Sequence, residues 1–491
     1  IAAGTTVTST GAQSLQGGTI AGNLDGAGAI TAASGTTDIT GTVTNASGLT
    51  VSGGTVNVTG AGTVDTSGNL ITISSGTLAT DTDALANNET VSISGGSYNV
   101  SGTDTIAALT QSGGVVDGAG TLTTTGAFTQ SGGTTGGAVN IDSATFTQSG
   151  GGIIAAGTSV TSTGAQSLQG GTIAGNLDGA GAITAASGTT NITGAVTNAA
   201  SFSVTGGTVN VNGAGTIDTA GNTVSVSAGA LSTDGGALEA AATATVSGTG
   251  TLSTSGTEAI TAINQTGGTV GGSGTFNLSG AFTQSGGTTG GSVDINAATF
   301  TQSGGATVAA GTTVTSTGAQ TLQGGTIAGA LDGAGAVTVN TGTTTLTGTI
   351  SSTSIDIQAG GTLSSNGGGL AAAAAVTNNG ALALTGGGDE SIASMNGTGT
   401  TSLSGGSILT LNTGVSNING VISGAGGLTV AGGTTNLGAA NTYSGATTVN
   451  SGGTLNVLAA GAIAGASTVN AGGIMTNAGT VADVSNAGSF T

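Results

Sequence analysis

Residues 126–151 read GAFTQSGGTTGGAVNIDSATFTQSGG, and the line returns at residues 280–305 as GAFTQSGGTTGGSVDINAATFTQSGG. Within it FTQSGG starts at Phe128 and again at Phe146, while LTQSGG starts at Leu109, so one short unit recurs every 18 or 19 residues. In each unit a large apolar residue is followed by Thr, Gln and Ser before a Gly-Gly corner. Side chains alternate across a strand, so Phe128 and Phe146 point one way and Thr129 and Thr147 the other.

The same rhythm runs outward through the chain. Gly-Gly or Ser-Gly corners stand at Gly17, Gly35, Gly53, Gly76, Gly95, Gly113, Gly132, Gly150, Gly170, Gly188 and Gly206, and continue through Gly267 to Gly472. Between corners lie short runs such as VNVTG, ITISS and VNIDS, apolar at every second position, which is strand period and not helix period. Gly and β-branched residues also disfavour helix. Short strands, glycine corners and a constant coil length predict an all-β, single-stranded parallel β-helix (β-solenoid) of 18–20 residues per coil and about 25 coils. The absence of proline suits stacked coils, where every backbone N–H is needed as a donor.

A coarser repeat lies over the fine one. The segment opening at Ile1 returns at Ile154 and again at Val308, with Asp25, Asp178 and Asp332 at equivalent places. The expected organisation is one continuous solenoid over 1–491, with long repeats at 1–153, 154–307 and 308–423, a distinct segment at 424–457 and further coils at 458–491.

Composition narrows the chemistry. Lys, Arg, His, Cys, Pro and Trp are all absent, whereas Gly numbers 102 and the 20 Asp and Glu give a net charge of −20. No imidazole, thiol or side-chain cation is present for general-base, thiolate or phosphate-clamping chemistry. The reading is therefore a non-catalytic chain with no cofactor. The unbalanced negative charge disfavours nucleic acid and anionic membrane surfaces as partners. No apolar run of membrane-spanning length occurs, so no membrane insertion by this segment is expected. Zero cysteine suits a chain that crosses an oxidising compartment unfolded.

Candidate residues are placed on this frame. Phe128, Phe146, Phe282 and Phe300 are expected inside the stack. Gln111, Gln130 and Gln148 should align in successive coils, as should Gln265, Gln284 and Gln302. Such rows serve either as a sugar-binding amide row or as an axial ladder in which each Gln bonds its neighbour; the ladder is the favoured reading. Asp25, Asp178 and Asp332, in the turn-like LDGAG, and the pairs Asp81/Asp83 and Asp389/Glu390 raise glycoside hydrolysis or calcium binding. The favoured reading is isolated acids on turns that supply solubility, with weak calcium bridging at Asp25, Asp178 and Asp332 as the one metal chemistry left open. Outward Thr6, Thr8 and Thr10 resemble the threonine rows of ice-binding solenoids, but Thr is also the ordinary solvent-facing strand residue.

From Gly424 the sequence GAGGLTVAGGTTNLGAANTYSGATTVNSGGTLNV resembles the repeat of bacterial autotransporter passenger domains. Asn441, Thr442, Tyr443, Ser444, Gly445, Thr448, Gly453, Thr454 and Leu455 carry the likeness. It covers residues 424–457, and the coil length elsewhere is similar to that of haemagglutinin-like adhesin shafts. The resemblance implies a right-handed β-helix that acts as the stalk of a large secreted surface adhesin, outside the cell, in adhesion, biofilm or surface coating. It leaves the receptor open. The alternative expectation is a filament or matrix subunit, with homotypic end-to-end or lateral association, because a chain that starts and stops in mid-pattern leaves a strand edge at each end. A polysaccharide-active β-helix enzyme and an ice-binding protein are more distant alternatives.

Overall fold

The structure is a computed structural model that describes residues 1–491 except Ala27, which lies in the first LDGAG. Among the described residues every regular element is a strand, and the strands pair in parallel one coil apart, forming a β-solenoid of about 25 turns. The described residues form two compact units, Ile1–Ala244 with Thr249–Ser253 and Thr245–Gly248 with Thr254–Thr491.

In the first unit each full coil presents three faces, some strands, such as Leu49–Val58, running round the corner from the first to the second. One coil runs through Ile30–Ala32, Thr36–Ile39 and Thr42–Thr44, representing the first, second and third face in turn. Inward positions stack into columns. On the first face Ile30, Leu49, Ile71, Val91, Leu109, Phe128, Phe146, Gln166, Ile183, Phe202 and Val224 lie one on the next. Apart from Gln166 this column is aliphatic or aromatic, and all of it is buried. Burial of such side chains is the main favourable term, about 1.5–3 kcal/mol for each large one.

Outward positions stack equally. The middle of the first face is a row of hydroxyls in register: Ser14, Thr31, Thr50, Thr72, Ser92, Thr110, Thr129, Thr147, Ser167, Thr184, Ser203 and Ser225. Between the second and third faces the coils close so tightly that only glycine fits. A Cβ on Gly41 would lie 2.0 Å from the Gly22 carbonyl oxygen, and one on Gly22 would lie 2.2 Å from that of Thr5.

The second unit stacks in the same way. Ile263, Phe282, Phe300, Gln320, Val337, Ile355, Val376 and Met395 form one inward column. Towards its C-terminal end Asn417, Asn436 and Asn456 form an outward amide ladder, with Asn436 Nδ2 donating to Asn417 Oδ1 at 2.7 Å and Asn456 Nδ2 to Asn436 Oδ1 at 2.7 Å.

Candidate functional site

Phe128 stacks between Leu109 and Phe146, and the two rings lie 5.2 Å apart and tilted by 34°. Phe282 and Phe300 repeat the arrangement at 5.4 Å. Beside the rings, Gln130 Nε2 donates to Gln111 Oε1 at 3.0 Å and Gln148 Nε2 to Gln130 Oε1 at 3.1 Å. In the second unit Gln284 donates to Gln265 at 3.1 Å and Gln302 to Gln284 at 3.2 Å. All six amides are fully buried, so they bond one another and backbone carbonyls such as Thr134 O and Ile153 O, leaving none at the surface for a sugar.

The acids correct the sequence reading. Asp25, Asp178 and Asp332 are not on turns: each ends a strand of the third face, in Asn23–Asp25, Asn176–Asp178 and Ala330–Asp332. Asp25 Oδ1 accepts from Thr44 Oγ1 at 3.2 Å and Asn45 Nδ2 at 2.7 Å, and Asp178 Oδ1 accepts from Thr197 Oγ1 and Asn198 Nδ2, both at 2.8 Å. In the third repeat Ser351 and Ser352 stand where the first two have Thr-Asn. Register makes Asp and Thr alternate along this face, as Thr8, Asp25, Thr44 and again as Thr123, Asp142, Thr161, Asp178, Thr197. Successive carboxylates are therefore two coils, or about 9.6 Å, apart, too far for one calcium ion with ligands at about 2.4 Å. Thr6 and Thr8 sit on the same face beside Asn23 and Asp25, so no threonine-only array forms there; Thr10 lies in the bend that follows.

Charge is thereby segregated. In the first unit the exposed or half-buried acids occupy the third face, the second face at Asp38 and Asp117, and corners at Asp81, Asp83, Asp234 and Glu239. Among the described residues the strands of the first face, from Gln13–Leu15 to Thr223–Thr233, place no acid beside the hydroxyl row.

Four acids are buried in the core, against the reading that acids serve only as solubilising turn residues: Glu89, Asp104, Glu258 and Glu390. Asp104 Oδ1 accepts from the backbone N–H of Ala84 at 2.8 Å and Leu85 at 3.2 Å, while Oδ2 accepts from the Tyr98 hydroxyl at 3.3 Å. Glu390 accepts from Leu370 N at 3.1 Å and Ser365 Oγ at 3.0 Å, and Glu89 from Thr66 N at 2.8 Å and from the Thr66 hydroxyl. Desolvation raises the pKa of all three carboxyls, and their hydrogen bonds pull back only part of that rise. Desolvation, and then the neighbouring Asp104 charge, pushes the Tyr98 phenol well above its usual range. These carboxylates hold corner amides that no strand partner reaches. A signal existed: GTDTI, GTEAI and GDESI place an acid two residues before an inward Ile, once per long repeat. Asp389 and Glu390, adjacent in sequence, take opposite faces of the strand, Asp389 Oδ1 accepting from Ile408 N at 2.8 Å. On the surface of the third face Asp218 is held below the ordinary carboxylate range by a hydrogen bond with Glu239 and one from Ala220 N.

In the autotransporter-like segment, Tyr443 is buried with its hydroxyl 2.7 Å from Thr447 Oγ1, and burial pushes its pKa up to about 12. Asn441 Oδ1 accepts from Ile422 N at 2.8 Å, and its Nδ2 donates to Ala439 O and Ala462 O. The concavities are shallow. One of about 300 Å³ lies over Gly4–Thr6 and Ala21–Asn23, and an equivalent one of about 260 Å³ over Gly311–Thr313 and Ala328–Ala330. Both are walled by backbone and small side chains, with no titratable group. Among the described residues no three acids come close enough to hold a metal ion.

Fold and side-chain inventory together define a β-solenoid repeat protein whose polar ladders serve the stack. Comparison with family models, curated proteins and solved structures finds no match to this chain.

Proposed function

We propose that this chain is the non-catalytic shaft of a large secreted bacterial surface adhesin, serving adhesion, biofilm or surface coating. The observation that carries the reading is the motif at 441–455: its Asn441 bonds the coils before and after it, and its Tyr443 is buried with its hydroxyl against Thr447 of its own coil. In a shaft, conspicuous residues are structural. The inventory supports the same reading, since imidazole, thiol and side-chain cations are missing and the buried carboxylates bind backbone amides and core hydroxyls rather than facing a cleft. A chain whose only side-chain charges are carboxylates resists bulk aggregation outside the cell by repulsion.

The test is made in the cell that produces the protein. Immunogold labelling of intact cells should decorate the outer surface, and in-frame deletion of residues 1–491 should lower attachment and biofilm mass. Label confined to the cytoplasm, or unchanged attachment, would overturn the proposal. Release of reducing or unsaturated sugar ends by the purified chain would overturn its non-catalytic part.

A further inference from the structure

We infer that the acid-free first face of the first unit is the surface through which two copies of this chain pair side by side. The inference rests on the structural role proposed above and deepens it. Like-charged copies with no side-chain cation repel wherever carboxylates face one another, as they would across the third face with Asp25, Asp142 and Asp178. The first face is the one long surface of the unit free of that cost.

Its chemistry fits a second copy of itself. The central row is hydroxyl throughout, and all its members are half-buried or exposed. Hydroxyls both donate and accept, so a hydroxyl face is self-complementary in a way that a carboxylate face is not. Ser225 already donates to Ser203 at 2.9 Å along the row. The flanking outward positions are mostly small, such as Ala108, Ala127, Ser112 and Ser131, so two such sheets can approach closely along their length. Twelve strands about 4.8 Å apart, each presenting about four residues at about 3.3 Å per residue, span roughly 700 Å² per copy, within the range of about 600–1,000 Å² per partner of a standard-size interface.

Sedimentation of the full chain at neutral pH and moderate salt tests this. The wild type should form a dimer in the micromolar range. Thr110→Glu with Thr147→Glu, on the first face, should weaken it at least tenfold. Thr36→Glu with Thr77→Glu adds the same charge to the second face and should leave it intact. Circular dichroism melts of both variants should match the wild type, since all four positions face outward. A monomeric wild type, or equal effects of the two variants, would overturn the inference. So would binding of a monomeric chain to an insoluble neutral polysaccharide that only the first-face variant loses, since the face would then belong to a different occupant. A monomeric wild type in cells that attach through this chain would sink this inference alone and leave the shaft proposal standing.

Discussion

Asp104 concentrates what a single residue does in this fold. Its carboxylate is buried, yet it supplies acceptors for two corner amides and the Tyr98 hydroxyl. Removing it strands those donors, each of which costs about 1–3 kcal/mol when left unpaired. Asp104→Ala should therefore destabilise by about 3 kcal/mol, whereas Asp104→Asn, which keeps an acceptor and removes a buried charge, should stay within about 1 kcal/mol of wild type. Chemical denaturation of both variants at pH 7 checks this, and equal losses would mean that charge, not hydrogen bonding, is what the position needs. Alternation in TDTI puts Asp104 on the same side as Ile106, so its burial was legible in the strand pattern. Its partners were not, because Ala84 and Leu85 belong to the previous coil.

At the level of elements, the polar ladders have direction. Gln130 and Gln148 each donate through Nε2 to the Gln Oε1 of the coil before, so the last member, Gln148, keeps an Oε1 with no protein donor because the next inward residue in that column is Leu168. Gln130 is the central link, since its amide also donates to Ile153 O and Thr135 Oγ1. Gln130→Leu keeps the volume and leaves those acceptors short of a donor. The expected loss is about 1–3 kcal/mol, read as a lower denaturant midpoint with unchanged slope. An unaffected midpoint would mean that ordered water replaces the amide. Alignment of the three Gln could be read from the QSGG spacing, but the carbonyls they satisfy, Thr134 O, Ile153 O and Thr172 O, belong to the next coil and are brought near only by folding.

For the molecule as a whole, pH is the most direct control. Glu89, Asp104 and Glu390 have pKa values raised by burial, so their protonated forms favour the fold. Their stabilising contribution is complete below the ordinary carboxylate values near about 4 and is lost as pH rises through the raised values. Asp218 works the opposite way, but it is one group near the surface. The melting temperature of dilute protein should therefore rise as pH falls from 7 towards about 4.5, and a fall over that interval would refute the assignment. All side-chain charge is carboxylate and no side-chain cation is present, so stronger acidification collapses the net charge towards zero. Light scattering should then increase as copies associate, and a flat trace to pH 3 would contradict this.

The sequence by itself determined the strand period, the glycine corners, the average coil length and the inward parity of Phe128 and Gln130. These are local properties, set by alternation along one strand and by the conformations open to glycine. Tertiary structure alone decided which residue lies on which. Coil length is not constant, being 17 residues from Gln13 to Ile30 and 22 from Leu49 to Ile71, so rows cannot be found by adding a fixed period. Only stacked register showed that Asp25 stands between Thr8 and Thr44, that Asp104 reaches back to the corner at Leu85, and that the acids leave one face of the first unit uncharged. The physical reason is that parallel pairing fixes each strand against a neighbour a whole coil away, and the corners absorb the difference in length.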